Sequence, residues 1–415
     1  MTGTKSRSQN LWIVVLAGAA IAGIGMGLRQ VMGLYMKPMT TELGIGREDF
    51  SLAIAIANIA WGLAAPLFGA ISDRFGAGRI AVTGALSTAL GLFLTSRATT
   101  GHELYLAGVF LGLGVAGAGV NAMVGAVGRA APPEGRTQAI AALGMGSGIG
   151  ILLALPYTHI LIERLGWQAS LLALTATAFL MLPLAFFVAG KPAVPRPGAY
   201  AQPLSSALSE AIRHPSFWLL NAGFFVCGFH VVFYGTHLPA YVADKGLDAR
   251  VAVTALTVVG VGNLIGTYLA GQSARFIPKR YGLSLIYFGR SLIFLGFLFL
   301  PITPATVIIL SALLGLLWLS TVPLTSGLVA TFFGPQWMTM LYGIVFLSHQ
   351  AGSFLGVWAA GRVFDTTKSY DLMWWVSVAL GLFAALIHLP IREQSVERQR
   401  RCRCCRVEAR HCDAA

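Results

Sequence analysis

The chain has 415 residues, of which 56% are hydrophobic and only 11% charged, whereas a soluble globular protein carries roughly 25% charged residues. That balance excludes an ordinary soluble domain. The net charge of +13 would suit nucleic acid, but the Lys and Arg residues lie between long apolar runs instead of clustering on one surface.

In chain order, a short N-terminal segment, 1–10, precedes a first predicted span at 11–36. That run is too long for the core of a signal peptide and lacks a small-residue cleavage site. Further spans are predicted at 50–71, 80–96, 104–128, 137–162 and 167–190, which completes a six-helix bundle over 11–190. Each run suffices to cross a hydrocarbon core of roughly 30 Å as a helix. The segment 191–215 carries Pro192, Pro195, Pro197 and Pro203, then the amphipathic piece Leu204 to Ile212, and reads as a linker on the membrane surface. Spans at 216–242, 251–274, 282–301, 304–332, 340–362 and 372–391 form a second bundle over 216–391. Stretches such as 283–300 and 372–389 show none of the alternation of a membrane β-strand. The fold class expected is therefore an all-α membrane protein of 12 transmembrane helices in two pseudo-symmetric bundles. Residues 392–415 form a basic tail whose Cys402, Cys404, Cys405 and Cys412 match no standard zinc spacing. Neither a metal nor a cofactor is expected.

If the N-terminus is cytoplasmic, 19 of the 29 Lys and Arg residues fall in inside segments, eight fall outside, and Arg29 and Arg290 lie within spans. The positive-inside bias then places both termini in the cytoplasm. The halves also repeat: Gly69 to Arg79 follows the second span, and Gly271 to Arg280 follows the eighth, 202 residues later. A repeat of six spans is the pattern of a two-bundle transporter with its site between the halves.

Six plus six spans, a central linker and the loop Gly69-x-x-x-Asp73-Arg74-x-Gly76-x-x-Arg79 resemble the major facilitator superfamily. The resemblance implies that this loop is a cytoplasmic latch between bundles, with Asp73 its acidic member and Arg74 and Arg79 its basic ones. In the second copy Arg275 replaces the Asp. A closer resemblance is to the bacterial monocarboxylate-porter-like branch that includes the oxalate/formate antiporter. It is carried by Gly27-Leu-Arg29-Gln-Val-Met-Gly33-Leu-Tyr35-Met-Lys37-Pro38, by Gly146-Ser-Gly148-Ile-Gly150 leading to Pro156, and by Gly166-Trp167. It implies a multi-pass protein of a bacterial inner membrane. The sequence departs from the wider pattern at Gly108, where many facilitators carry Arg, and in an eighth span without the basic residue expected of the antiporter.

An ionisable side chain at membrane depth costs roughly 2.5–3.5 kcal/mol on insertion scales and marks a candidate site. Two Arg and no acid lie there, every Asp and Glu falling in a loop, at a span end or in a tail. Arg29, between Gly25 and Gly33, is the expected anchor for a carboxylate, which a guanidinium grips through two parallel bonds. Arg290 is expected to brace the inner gate. On the seventh span Cys227, His230, Tyr234, His237 and Tyr241 recur at helical spacing and are expected to line the cavity. His230 or His349 is the expected proton carrier. Asn121, Tyr157, Asn263, Trp318 and Thr321 are further candidate contacts.

Three functions remain open at this stage. The leading one is alternating-access transport of a small organic anion, a monocarboxylate, with possible proton coupling. The second is export of a hydrophobic or zwitterionic compound; the third is a sensor that transports nothing. Enzymatic activity is not expected, since no phosphate loop, metal-ligand set or nucleophile arrangement is present. The partners expected are a small-molecule substrate, protons and the lipid bilayer, with no nucleic acid and a monomeric state.

Overall fold

The computed structural model describes residues 3–131, 136–189, 204–334 and 338–396. The side chains of Asp73, Arg74 and Asn121 lie outside the described residues, as do most of the proline-rich part of the linker and the Cys-rich tail. Sixteen α-helices follow in order: α1 Gly3–Gln30, α2 Met36–Leu43, α3 Arg47–Phe75, α4 Ala77–Arg97, α5 Gly101–Ala118, α6 Val120–Ala130, α7 Arg136–Phe179, α8 Met181–Phe187, α9 Leu204–Arg213, α10 Pro215–Asp244, α11 Ala249–Ser273, α12 Lys279–Phe299, α13 Pro304–Leu316, α14 Thr321–Phe333, α15 Met338–Thr367 and α16 Asp371–His388. No strand occurs among the described residues.

Among the described residues, eleven helical runs are long and apolar enough to cross a membrane. One of them, Ala142–Phe187, has 46 residues, which at 1.5 Å per residue is about twice the hydrocarbon thickness. It is broken at Gly166, whose φ of 77° few residues other than glycine adopt, so the protein has twelve spans. The first six form one bundle and the last six another. Each end is set by local chemistry. Thr100 and Glu103 form a reciprocal capping box at the start of α5, and the Asp248 carboxylate accepts from the Arg250 N–H at the start of α11.

Within lipid there is no water to drive helices together, so small residues at their seams allow backbones to approach. α1 and α7 meet this way: a Cβ added to Gly23 would lie 3.0 Å from the Gly146 carbonyl and 3.3 Å from the Gly150 Cα. At Gly108 the space an Arg would need is filled by the Ala53 backbone.

Among the described residues, besides the short break at Leu180 in the sixth span, three spans are interrupted. The first passes through a 3-10 turn, Val31–Tyr35; the fourth breaks at Gly119, which is extended (ψ 174°); the tenth breaks between Leu316 and Thr321. Irregular backbone at membrane depth is tolerated where it is buried in protein or lines a cavity. The breaks at Gly119 and at Trp318 and Leu319 do line one.

We call the end of the molecule where α1 begins and α16 finishes the terminal face, and the opposite end the far face. The bundles are locked together at the far face. Arg47 pairs with Asp244 at 2.6 and 2.8 Å and donates to the Tyr370 hydroxyl at 2.9 Å. Asp365 accepts from the N–H groups of Arg47 (3.1 Å) and Glu48 (2.8 Å) at the positive start of α3. Glu48 holds Arg362 at 3.0 Å and Trp358 at 3.1 Å.

Toward the terminal face the same helices separate. α3 and α15 still touch where Gly62 meets Gln350 and Leu347, and α7 and α11 where Gly148 meets Leu264. Gly69, Gly343, Gly144 and Gly271 continue those same faces one or two turns on. A Cβ at any of the four would find nothing within 4 Å. The gap between bundles therefore opens toward the terminal face.

Candidate functional site: the cavity between the bundles

At mid-height between the bundles lies a cavity of about 270 Å³. From the first bundle it is lined by Arg29, Gln30, Trp61 and the Gly119 break, and from the second by Phe224, Val231, Asn263, Trp318, Tyr342, Phe346 and His349, among others. Arg29 projects from the last turn of α1, just before the 3-10 interruption.

Its guanidinium is positioned from two sides. Nη2 donates to Asn58 Oδ1 at 2.7 Å, and Asn58 is itself fixed because its amide NH2 donates to the Ile54 carbonyl at 2.8 Å. The guanidinium carbon lies 4.9 Å from the centre of the Trp61 ring, a cation–π contact. Arg29 is only partly buried and also faces a second, smaller void of about 40 Å³. Among the described lining residues there is no carboxylate, so the cavity carries a positive charge with no acidic partner. A guanidinium beside a cavity without acids, with donors not committed to Asn58, is suited to an anion.

Across the cavity His349 is buried, with Nδ1 3.0 Å from Gln350 Oε1 and its ring stacked on Phe346. Gln350 spans the bundles by donating to the Asn58 carbonyl at 3.1 Å, so His349 and Arg29 are linked through Gln350 and Asn58. Asn263 Oδ1 accepts from the Leu319 N–H at 3.0 Å, closing part of the tenth-span break.

Of the residues singled out by sequence, Arg29, Asn263, Trp318 and His349 come together around the cavity. Others do not. The polar face of α10 was expected to line the cavity, and instead it packs into the second bundle. His230 Nε2 meets the Ser377 carbonyl at 2.9 Å, the Tyr234 hydroxyl meets Ser311 Oγ at 2.6 Å, and Cys227 meets Thr321 at 3.3 Å. Polar groups in a membrane bundle turn toward whichever helices can satisfy them, and for α10 those are its bundle neighbours. The cavity receives its apolar side, Phe224 and Val231. His237 belongs to the far-face closure, with Ser51 Oγ at 3.3 Å and the Tyr370 hydroxyl at 3.0 Å. Tyr157 lies on the outside of the first bundle, 42% exposed and bonded to Thr177.

Arg290 differs from its expected place at the inner gate. It is buried within the second bundle, where Nε and Nη2 donate to the Leu317 carbonyl at 3.1 and 2.7 Å and Nη2 also reaches the Trp318 carbonyl. Those carbonyls lose their helical partners at the tenth-span break, and the guanidinium satisfies them. Arg290 thereby holds Trp318 in place. Of the latch residues, Gly69, Gly76 and Arg79 lie at the terminal face around the α3–α4 turn, where Gly76 adopts φ 91° and Arg79 is exposed, with its guanidinium 5.8 Å from the Phe75 ring.

Sequence reasoning missed Asn58, Trp61, Phe224, Tyr342 and Phe346. Asn58, an amide eleven residues into α3, was legible as a polar exception in an apolar run. The aromatic residues were not, because nothing in their spacing separates a cavity wall from lipid-facing bulk.

A two-bundle, twelve-span fold with a closed far face and a central cavity defines a polytopic membrane transport protein. Residues 15–357 match the Major Facilitator Superfamily, and the chain belongs to that family. It is 26% identical over 405 residues to "Monocarboxylate transporter 11" of Mus musculus, covering 92% of this chain and 87% of the relative. It is 24% identical over 361 residues to the "Uncharacterized MFS-type transporter YhjX" of Escherichia coli, covering 84% and 88%. Among solved structures, a bacterial homologue of the human lysosomal transporter Spinster, inward-facing and occupied, superposes with a TM-score of 0.72 at 14% identity, covering 90% of this chain and 95% of that one. A D-xylose–proton symporter gives 0.71 at 15% identity, covering 93% and 99%.

Proposed function

We propose that this transporter moves a small organic anion, a monocarboxylate, across a bacterial inner membrane by alternating access, with both termini cytoplasmic and a proton carried along. The observation that carries this reading is Arg29 in the central cavity, positioned by Asn58 and Trp61 and facing no carboxylate among the described lining residues. A cationic substrate would be repelled from such a site, and a neutral one would leave the guanidinium unpaired. The names of relatives that align over most of the chain support the same class.

With the termini cytoplasmic, the cavity is open inward and shut outward by the Arg47–Asp244 closure. His349 is the proton-linked group of this reading: it lines the cavity and joins Arg29 through Gln350 and Asn58. The other candidate, His230, lies away from the cavity, against Ser377. The test is uptake of labelled carboxylates, amines and sugars into proteoliposomes under an imposed pH gradient. The reading predicts accumulation of monocarboxylates driven by the gradient; accumulation of amines or sugars in their place would overturn it.

A further inference from the structure

Resting on the anion-transport reading, we infer that the monocarboxylate carried has an aromatic or similarly flat apolar body and is not a two- or three-carbon acid. The cavity, about 270 Å³, approaches the roughly 300–1,000 Å³ of clefts that hold drug-sized ligands. That is more room than a lactate-sized anion fills.

Rings form part of its wall, beside aliphatic side chains such as Ile151, Leu256 and Val259. Trp61 of α3 meets Phe346 of α15 edge to face across the bundle boundary, with centroids 5.0 Å apart and planes at 71°. Phe346 lies parallel to His349, at 5.9 Å and 7°. His349 and Tyr342 both pack against Phe224, at 4.9 and 6.1 Å. On the other side Trp318 projects from the break in the tenth span, and a Cβ at Gly235 would touch both its ring (3.8 Å) and Gln30 Nε2 (3.4 Å). Trp61, Phe346, His349, Phe224 and Tyr342 thus form one chain of ring contacts that begins at Arg29, with Trp318 facing the cavity apart from it.

Position and polarity together select the ligand. The guanidinium stands 4.9 Å from the Trp61 centroid, so a carboxylate held on Arg29 places its body against Trp61 and Phe346. A ring there gains edge and face contacts and removes apolar area from water, whereas a hydroxy acid leaves that wall wet. A second carboxylate would meet no second fixed cation, since Arg29 is the one Arg or Lys among the described lining residues. The Asn263 carbonyl oxygen is already committed to the Leu319 N–H. One carboxylate and one apolar ring therefore match the cavity's one cation and its ring-bearing wall.

The test titrates the purified full-length protein with phenylacetate, L-lactate and benzylammonium and measures the heat of binding. Phenylacetate should bind at least about tenfold more tightly than L-lactate, since its ring adds the apolar contact that lactate lacks. Benzylammonium, which has the ring without the carboxylate, should not bind. Phe346→Leu and Trp318→Leu should each narrow the ratio between the two acids by about threefold or more, whereas a general loss of folding lowers both affinities together. L-lactate binding as tightly as phenylacetate would overturn the aromatic body and leave the anion reading standing. Benzylammonium matching phenylacetate, or the binding of neither acid, would remove both.

Discussion

Arg47 at the start of α3 and Asp244 at the end of α10, 197 residues apart in sequence, form a two-pronged ion pair between the bundles, 2.6 and 2.8 Å long. Lys37 adds a second cation to Asp244 at 3.5 Å, and the Arg47 guanidinium carbon lies 3.7 Å from the Phe364 ring centre. For the far face to open, this set must part. Asp244→Asn weakens it while keeping shape, at a cost of about 1–3 kcal/mol to the closed state. In a background with the native cysteines replaced, a cysteine introduced at Gln30, which lines the cavity, should then react faster with an impermeant maleimide added at the far face. Unchanged labelling would show that the pair does not govern closure.

The first and seventh spans close against each other where Gly33 meets Gly235 and Thr236. A Cβ at Gly33 would lie 2.8 Å from both carbonyl oxygens, closer than real contacts allow, and both neighbours are backbone. Gly33→Val should therefore keep the protein in the membrane, raise far-face accessibility of the cavity and abolish transport. Wild-type transport by this variant would contradict the packing described.

Arg290 is predicted to carry stability and the shape of the cavity. Arg290→Ala leaves the Leu317 and Trp318 carbonyls without their donor and should lower stability by about 2–4 kcal/mol, read as an earlier unfolding transition in detergent. Trp318 loses its position as well, so transport falls with stability. Arg29→Ala, by contrast, should lose transport while unfolding at nearly the wild-type temperature.

His230 and His349 are predicted to differ in kind. His349→Gln should flatten the dependence of transport on pH, because the cavity loses its imidazole. His230→Gln should keep the pH profile and lower stability, because it disturbs the contacts with Ser377 and Phe294. Uptake measured over a pH series for both variants separates them; matching profiles would refute the assignment.

The twelve spans were legible because length and hydropathy report what lipid requires of a helix. Gly166 and the 202-residue repeat were legible for the same reason, as punctuation between apolar runs. Arg29 stood out because a charge at membrane depth needs a reason. The neighbours of each polar group were not legible. The five-residue face of α10 has the spacing of a cavity wall, yet spacing gives a direction only relative to the helix, and His230, Tyr234 and Cys227 turn to Ser377, Ser311 and Thr321 of their own bundle. Arg290 was misplaced for a related reason: its partners are carbonyls freed by a helix break that the apolar run 304–332 does not betray. The far-face closure joins Arg47, Asp244, Asp365 and Tyr370 from four loop-proximal positions, and no local pattern connects them.

The central claim is that Arg29 holds the anion. Its most direct test is uptake of a labelled monocarboxylate into proteoliposomes by the wild type, Arg29→Lys and Arg29→Ala, at equal protein incorporation. Losing one or two charge-assisted bonds predicts a fall of about 10- to 100-fold or more for Arg29→Ala. Arg29→Lys should recover only part of it, because an ammonium keeps the charge without the two-pronged grip. Uptake at the wild-type rate by Arg29→Ala would contradict the account.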